Sequence, residues 1–337
     1  MPVNVEFVEK SEYAYAVARI RAIEIKLIDS KGYNTLLASS MERFYAIFSE
    51  VSGVKIDGVP DLQSTLKNLE DSFTGTLYMT RSLILENEIK RLVSLKYDYE
   101  LLKLIVKEAR GFDISIPPEI SERSNYSYPV LKSLLEGGKA LETGRIIYEA
   151  YSSLKDAKGR TGKYIDNECD RAYYYELFRI LEEFGNSFLL EYFTRKIDAC
   201  NISTTLRLKL QGAKRSSLRE RILPFGNIDI SYLEQGIDMN LEGFSSRIIF
   251  SPFSRVLGGS GKAGDEEEQV AKVEKQLAEE LIKYLKESIF VTFGIEPLLA
   301  YLWVRETEVI NLRTILLAKH AGIGTEEIKK YVRGYHV

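Results

Sequence analysis

The spacing of proline restricts this chain more than any other feature. Its eight prolines stand at positions 2, 60, 117, 118, 129, 224, 252 and 297, leaving 61–116, 130–223 and 298–337 free of them. Proline breaks a helix interior because it lacks an N–H and its ring clashes with the preceding turn, so the long gaps read as helices. Over residues 13–28 the apolar side chains Tyr13, Val17, Ile20, Ile23 and Leu27 recur every three or four positions, with Gly32 as a C-terminal stop. Val270, Val273, Leu277, Leu281 and Tyr284 repeat that pattern over 265–284, and acids crowd the first turn, where the helix dipole favours them. Alternating strand patterns are sparse. A short stretch such as 228–232 could be extended, and 224–264 reads as a long irregular region. The expected fold class is therefore all-α.

An internal repeat narrows that class. The segments FTRKIDACNISTTLRLK (193–209) and LWVRETEVINLRTILLAK (302–319) share the frame Arg-x-x-acid-x-x-Asn. It is filled by Arg195, Asp198 and Asn201 in one and by Arg305, Glu308 and Asn311 in the other. At i, i+3 and i+6 these side chains form a polar stripe along one helix. A degraded third copy, YDYELLKLIVKEAR, keeps the acid at Asp98 and places Lys103 where Arg313 stands, with Leu95 and Leu101 replacing the Arg and the Asn. The acids are spaced by 100 and 110 residues, and a glycine stop follows each copy at Gly111, Gly212 or Gly322. Three similar helical units at 1–115, 116–215 and 216–337 follow from that spacing. The stripe has two readings. One is an intrahelical ion pair on a wet surface, worth about 0.3–0.5 kcal/mol. The other is a polar clasp, repeated in each unit, that fixes how its helix docks on its neighbours. Neither makes the stripe catalytic.

Charge and composition exclude several functions. With 46 basic against 49 acidic residues the surface is nearly balanced, unlike a protein that grips nucleic acid. No run approaches the roughly 20 apolar residues of a membrane span; the apolar segment 297–304 ends at Arg305. The opening MPVNVEFVEKSEY lacks the basic patch and apolar block of a secretory signal, so a cytoplasmic location is expected. VLGGSGKAGDEEE misses the phosphate-loop spacing, with Val256 and Ala263 where glycine and a hydroxyl are required, and reads as a connector. Neither His320 nor His336 follows an acid by three residues, as a di-metal bundle would need. His320, beside Lys319, reads as a surface residue near a helix end. Cys169 and Cys200 read as buried small apolar residues. No metal and no cofactor are expected. A basic run, Arg207, Lys209, Lys214, Arg215, Arg219 and Arg221 against the single acid Glu220, is either a solvated helix face or a contact surface for an acidic partner or anionic head groups.

Two segments resemble a known family. EPLLAYLWVRETEVINLRTILLAKHAGIGTEEIKKYV (296–332) is similar to the closing segment of the C subunit, also called the d or AC39-type subunit, of rotary A-type and V-type ATPases. YAYAVARIRAIEIKLI (13–28), with Arg19, Arg21 and Glu24, resembles the first helix of the same family. The resemblance covers essentially the whole chain; the last 40 residues are specific and the middle is loose. It implies an all-helical funnel of three similar domains with approximate threefold pseudosymmetry. It further implies a non-catalytic rotor part, peripheral on the inner face of the cell membrane. Its partners would be the membrane proteolipid rotor ring and the D and F subunits of the central stalk. The repeat alone would also fit a free-standing helical scaffold that recruits soluble partners.

Overall fold

A computed structural model describes residues 10–56, 59–157, 161–260 and 265–333. Among these residues every regular element is helical. In chain order they are α1 (Ala14–Glu24), α2 (Ser30–Ala38), α3 (Met41–Ser52), α4 (Leu62–Leu83), α5 (Asn87–Ala109), α6 (Pro118–Arg123), α7 (Tyr128–Glu136), α8 (Ala140–Thr143) and α9 (Arg145–Lys155). Then come α10 (Gly162–Phe184), α11 (Ser187–Leu210), α12 (Ser216–Arg219), α13 (Ile230–Asp238), α14 (Leu241–Arg247), α15 (Ser254–Ser260), α16 (Glu266–Lys286), α17 (Glu296–His320) and α18 (Thr325–Lys329). The glycine-lysine connector at 261–264 and His336 lie outside the described residues.

Proline works as a start signal as well as a break. Pro118, Pro129 and Pro297 occupy the first turns of α6, α7 and α17, where a missing N–H costs nothing. Gly111, Gly212 and Gly322 all take left-handed backbone just past α5, α11 and α17. In each case the next N–H reaches back five residues to a carbonyl in the last helical turn: Phe112 to Lys107, Ala213 to Leu208 and Ile323 to Ala318, at 3.0, 3.0 and 2.9 Å.

Three expectations need correcting. The apolar spacing over 13–28 belongs to α1 only as far as Glu24; the chain turns, and α2 begins at Ser30 because the Asp29 carboxylate caps it by accepting the Gly32 N–H at 2.7 Å. Gly32 is therefore inside a helix and not a stop. Residues 230–232 are helical rather than extended, because Asp229 caps α13 by accepting the Ser231 N–H at 2.8 Å. The part of the region 224–264 that is described, 224–260, contains three short helices, with Asn240 capping α14.

The described chain divides into two compact units. One comprises residues 77–186 and 223–225. In it α5 and α10 lie antiparallel, as the ion pairs Arg91–Glu176, Lys103–Asp170 and Lys107–Asp166 at 2.5, 2.6 and 2.6 Å require. Helix α9 packs on both and α6 packs on α5. The other unit comprises residues up to 76, 187–222 and from 226 onward. Its α11 runs antiparallel to α16, from the stacked rings of Phe188 and Tyr284 at 4.8 Å to the pair Arg207–Glu274. Helices α13, α14 and α15 close a core of Ile202, Leu206, Leu233, Phe244, Leu257 and Val273. Gly236 is required there, since a Cβ would stand 2.8 Å from the Phe244 ring. Helix α17 is buried on most of its circumference, with Trp303 stacked on Tyr192 at 4.7 Å, and α1, α2, α3, α16 and α18 cluster against it or one another.

Candidate functional site

The three acids of the repeat sit on the long helices α5, α11 and α17, and all are buried: Asp98, Asp198 and Glu308. A carboxylate removed from water needs donors around it, and each acid finds them in a loop from a distant part of the sequence.

Asp98 receives the Ser124 hydroxyl at 2.5 Å, the Asn125 backbone N–H at 2.7 Å and the Asn125 side-chain amide at 2.7 Å. Arg81 steadies Asn125 by donating to its side-chain oxygen at 3.1 Å. Burial pushes the Asp98 carboxyl up to about 6, while these hydrogen bonds and the Arg91 charge pull the other way.

Asp198 accepts the Ile228 N–H at 3.0 Å. The loop comes so close that a Cβ on Gly226 would stand 2.5 Å from the Asp198 carboxylate. Burial pushes this carboxyl up to about 6 as well, against the pull of the Ile228 and Asn227 N–H groups. Arg195, its partner in the sequence frame, turns instead to Glu191 at 2.7 Å and lies over the Tyr284 ring at 4.3 Å. Asn201 is buried one turn further along α11.

Glu308 accepts the Ile28 backbone N–H and pairs with Arg305. Arg305 also reaches the Ser52 carbonyl at 3.5 Å. Burial raises the Glu308 carboxyl, opposed by Arg305 and by the Ile28 N–H. Asn311, three residues on, donates to the Arg333 carbonyl at 2.6 Å and to the Tyr33 hydroxyl at 3.2 Å, and accepts the Arg333 N–H at 2.9 Å. This copy of the stripe thus touches both the beginning and the end of the described chain.

The basic run is dispersed over the end of α11, α12 and the turn between them. Arg207 pairs with Glu274, Arg215 with Asp238 and Arg219 with Glu234, while Lys209 donates to the Met239 carbonyl at 2.6 Å. Lys214 and Arg221 complete the run; Lys214 is exposed and Arg221 half-buried.

Sequence spacing did not reveal another buried acid, Glu176, which accepts from Arg91 at 2.5 Å and from the Tyr99 hydroxyl at 2.6 Å. Its partners are 85 and 77 residues away, and no local pattern marks the pairing. Ser124 and Asn125 carried a weak signal, since Ser and Asn favour turns. Among the described residues no group of three or more His, Cys, Asp or Glu is placed to hold a metal ion. Neither cysteine is in a disulfide; Cys169 is buried as expected, Cys200 is only half-buried, and burial pushes the Cys169 thiol up to about 12. Asp98, Asp198 and Glu308 each accept a backbone N–H that ties a loop to a helix, whereas Glu176 ties α10 to α5.

Comparison with known proteins gives this arrangement a lineage. Residues 16–331 match the family described as ATP synthase (C/AC39) subunit. The C subunit of the A-type ATP synthase of Methanococcoides burtonii is 28% identical, over 95% of this chain and 93% of that protein. The corresponding C subunits of Thermococcus kodakarensis and Archaeoglobus fulgidus are 27% and 24% identical, again over 95% of this chain and over 90% and 96% of theirs. The match takes in most of α1, the three acids of the repeat and the loops they hold, and the chain belongs to the ATP synthase (C/AC39) subunit family.

Proposed function

We propose that the chain is a non-catalytic rotor subunit of an A-type or V-type ATPase. It couples the D and F subunits of the central stalk to the membrane proteolipid ring and transmits torque during proton or sodium ion transport. The observation that carries the reading is the family match from residue 16 to 331, together with relatives named as C subunits of A-type ATP synthases that are covered almost end to end. The chain works as a peripheral protein on the cytoplasmic face, held there by its partners; none of its described helices is long and apolar enough to cross a membrane.

The geometry supports the mechanical part of this reading. A part that passes torque must resist sliding of one helix past another, and apolar packing alone is non-directional. A buried carboxylate holding a backbone N–H is directional, and breaking it strands a charge away from water. We read Asp98, Asp198 and Glu308 as three copies of one clasp, each centred on the long helix of a helical unit.

The test is co-purification from gently solubilised membranes. A tagged chain should recover both ring proteolipids and stalk subunits, and recovery of neither from intact membranes overturns the proposal. Fractionation separates it from a free-standing scaffold, which stays in the supernatant, whereas the rotor subunit sediments with membranes until stripped.

A further inference from the structure

A slot runs along one face of α17, within the unit that contains α1, α16 and α17. Ala300, Val304, Thr307 and Asn311, three or four residues apart, line it, so it extends about 16 Å at a helical rise of 1.5 Å per residue. Leu27 and Ile28, from the turn after α1, supply further wall. Its volume is about 330 Å³. An aliphatic and aromatic cavity of roughly 150 Å³ already takes up benzene, and close packing leaves few larger voids in a folded chain.

Polarity changes along the slot. Its first half, at Ala300 and Val304, is aliphatic. Nine residues join α16 to α17, so the last turns of α16 add Ile282 and Leu285 to this half, and both are almost closed to solvent. Its second half is polar: Asn311 donates to the Tyr33 hydroxyl at 3.2 Å, and Glu308 holds the Ile28 N–H. The charges of the lining balance, with Arg21, Lys286 and Arg333 against Glu24, Asp29 and Glu308. Arg21 pairs with Glu24 at 2.9 Å, Glu308 pairs with Arg305, and Asp29 accepts the Gly32 N–H at 2.7 Å. A charged ligand would leave water for a site that offers it no net opposite charge, at a cost. An apolar body with one small uncharged polar end matches both halves.

We propose that this slot binds an uncharged single-chain amphiphile, with its alkyl chain against Ile282, Leu285 and Val304 and its hydroxyl toward Tyr33 and Asn311. A free long-chain alcohol and a monoacylglycerol share that chemistry. The bound molecule touches both the Glu308 clasp and the turn that the clasp holds, so it stabilises that junction by mass action. The proposal goes beyond the rotor reading, which requires no small molecule.

The experiment titrates the purified full-length chain with 1-hexanol, 1-octanol and 1-decanol in a calorimeter. Binding should saturate at one molecule per chain and tighten roughly fifteenfold for each two carbons added. Decanoate and decylammonium should bind at least roughly tenfold more weakly than decanol, because their charge has no counterpart in the lining. Monodecanoylglycerol is the second probe, and whichever binds more tightly, it or decanol, names the source as a glyceride lipid or a free alcohol. Val304→Phe, which puts a ring into the slot, should abolish binding. In the parent, decanol should slow hydrogen exchange at Ile28 and in the last turns of α16 while leaving α5 and α10, in the other unit, unchanged. Absence of saturable binding, a charged probe that binds as tightly as decanol, a folded Val304→Phe that binds like the parent, or protection spread evenly over both units each overturns the proposal. If Val304→Phe does not fold, the exchange pattern of the parent decides alone. No partner protein is present in these assays, so their failure leaves the rotor reading standing, and the reverse also holds.

Discussion

Arg305 and Glu308 show what a buried pair demands of its surroundings. Their side chains are only 10% and 4% exposed, so removing one leaves the other charged and almost dry. Glu308→Gln leaves Arg305 with the long contact to the Ser52 carbonyl, and it should lower unfolding free energy by about 3–5 kcal/mol. Arg195→Ala, which breaks a more accessible pair with Glu191, should cost about 1 kcal/mol. Urea unfolding midpoints decide the matter; equal midpoints for the two variants would mean the buried pair does no more than a surface one. Asp98 and Asp198 make a second prediction, with a sign opposite to the usual one. Each is raised to about 6 in the folded chain, against about 3.9 when unfolded. The folded state therefore binds more protons between these values. The contribution of the two acids is fully present below about 3.9 and is lost as pH rises through about 6, on the order of 2–3 kcal/mol each. Relative to a variant carrying Asp98→Asn and Asp198→Asn, the parent should gain stability on acidification from pH 7 to 5. A parallel pH dependence in both proteins refutes this.

At the scale of the elements, the loops are shaped to reach the acids. Gly226 brings the backbone against Asp198, so Gly226→Ala must push the loop outward and weaken the Ile228 N–H bond. Gly212→Ala meets no neighbouring atom and bears only the left-handed backbone cost of about 1 kcal/mol. Calorimetry should show a clearly larger drop in melting temperature for the first, and equal drops would show that the loop yields freely. The same contrast explains what the amino-acid pattern made legible. Asp265 followed by three glutamates announces α16 because capping and dipole effects are local, and the glycine stops of α5, α11 and α17 are local too. The break between α1 and α2 was hidden because Leu27 continues the apolar spacing past Glu24, while the deciding contact is the Asp29 cap. The short helices α13 to α15 were hidden because each makes only two turns or so and gains stability from the shared core rather than from periodicity. The acids could be found by their spacing. Their partners could not, because Asn125, Ile228 and Ile28 present backbone N–H groups, which every residue but proline possesses.

At the scale of the whole molecule, the chain closes on itself within one of its two units. The Lys10 N–H meets the Phe293 carbonyl at 2.9 Å, Ile28 meets Glu308, and Lys319 caps the end of α2 through the Leu37 and Ser39 carbonyls at 2.5 and 2.9 Å. These contacts join residues about 280 apart, so the first 30 or so described residues are part of the last long helix's packing. A chain beginning at Asp29 would lose α1 and the Ile28 N–H. Glu308 would keep Arg305 alone, and the face of α17 that packs on α1 would meet water. The expected result is loss of hydrogen-exchange protection in α17 and in the last turns of α16, which Arg21 ties to α1 through Ser288. Protection along α5 and α10 should persist, because Lys103–Asp170, Lys107–Asp166 and the Glu176 network lie wholly within the other unit. Uniform loss across both helix sets would mean the units unfold as one cooperative body. Unchanged protection in α17 would mean that the N-terminal helix is an ornament on an already complete core. Only the split outcome fits a chain in which the clasp on Glu308 closes one unit and leaves the other intact.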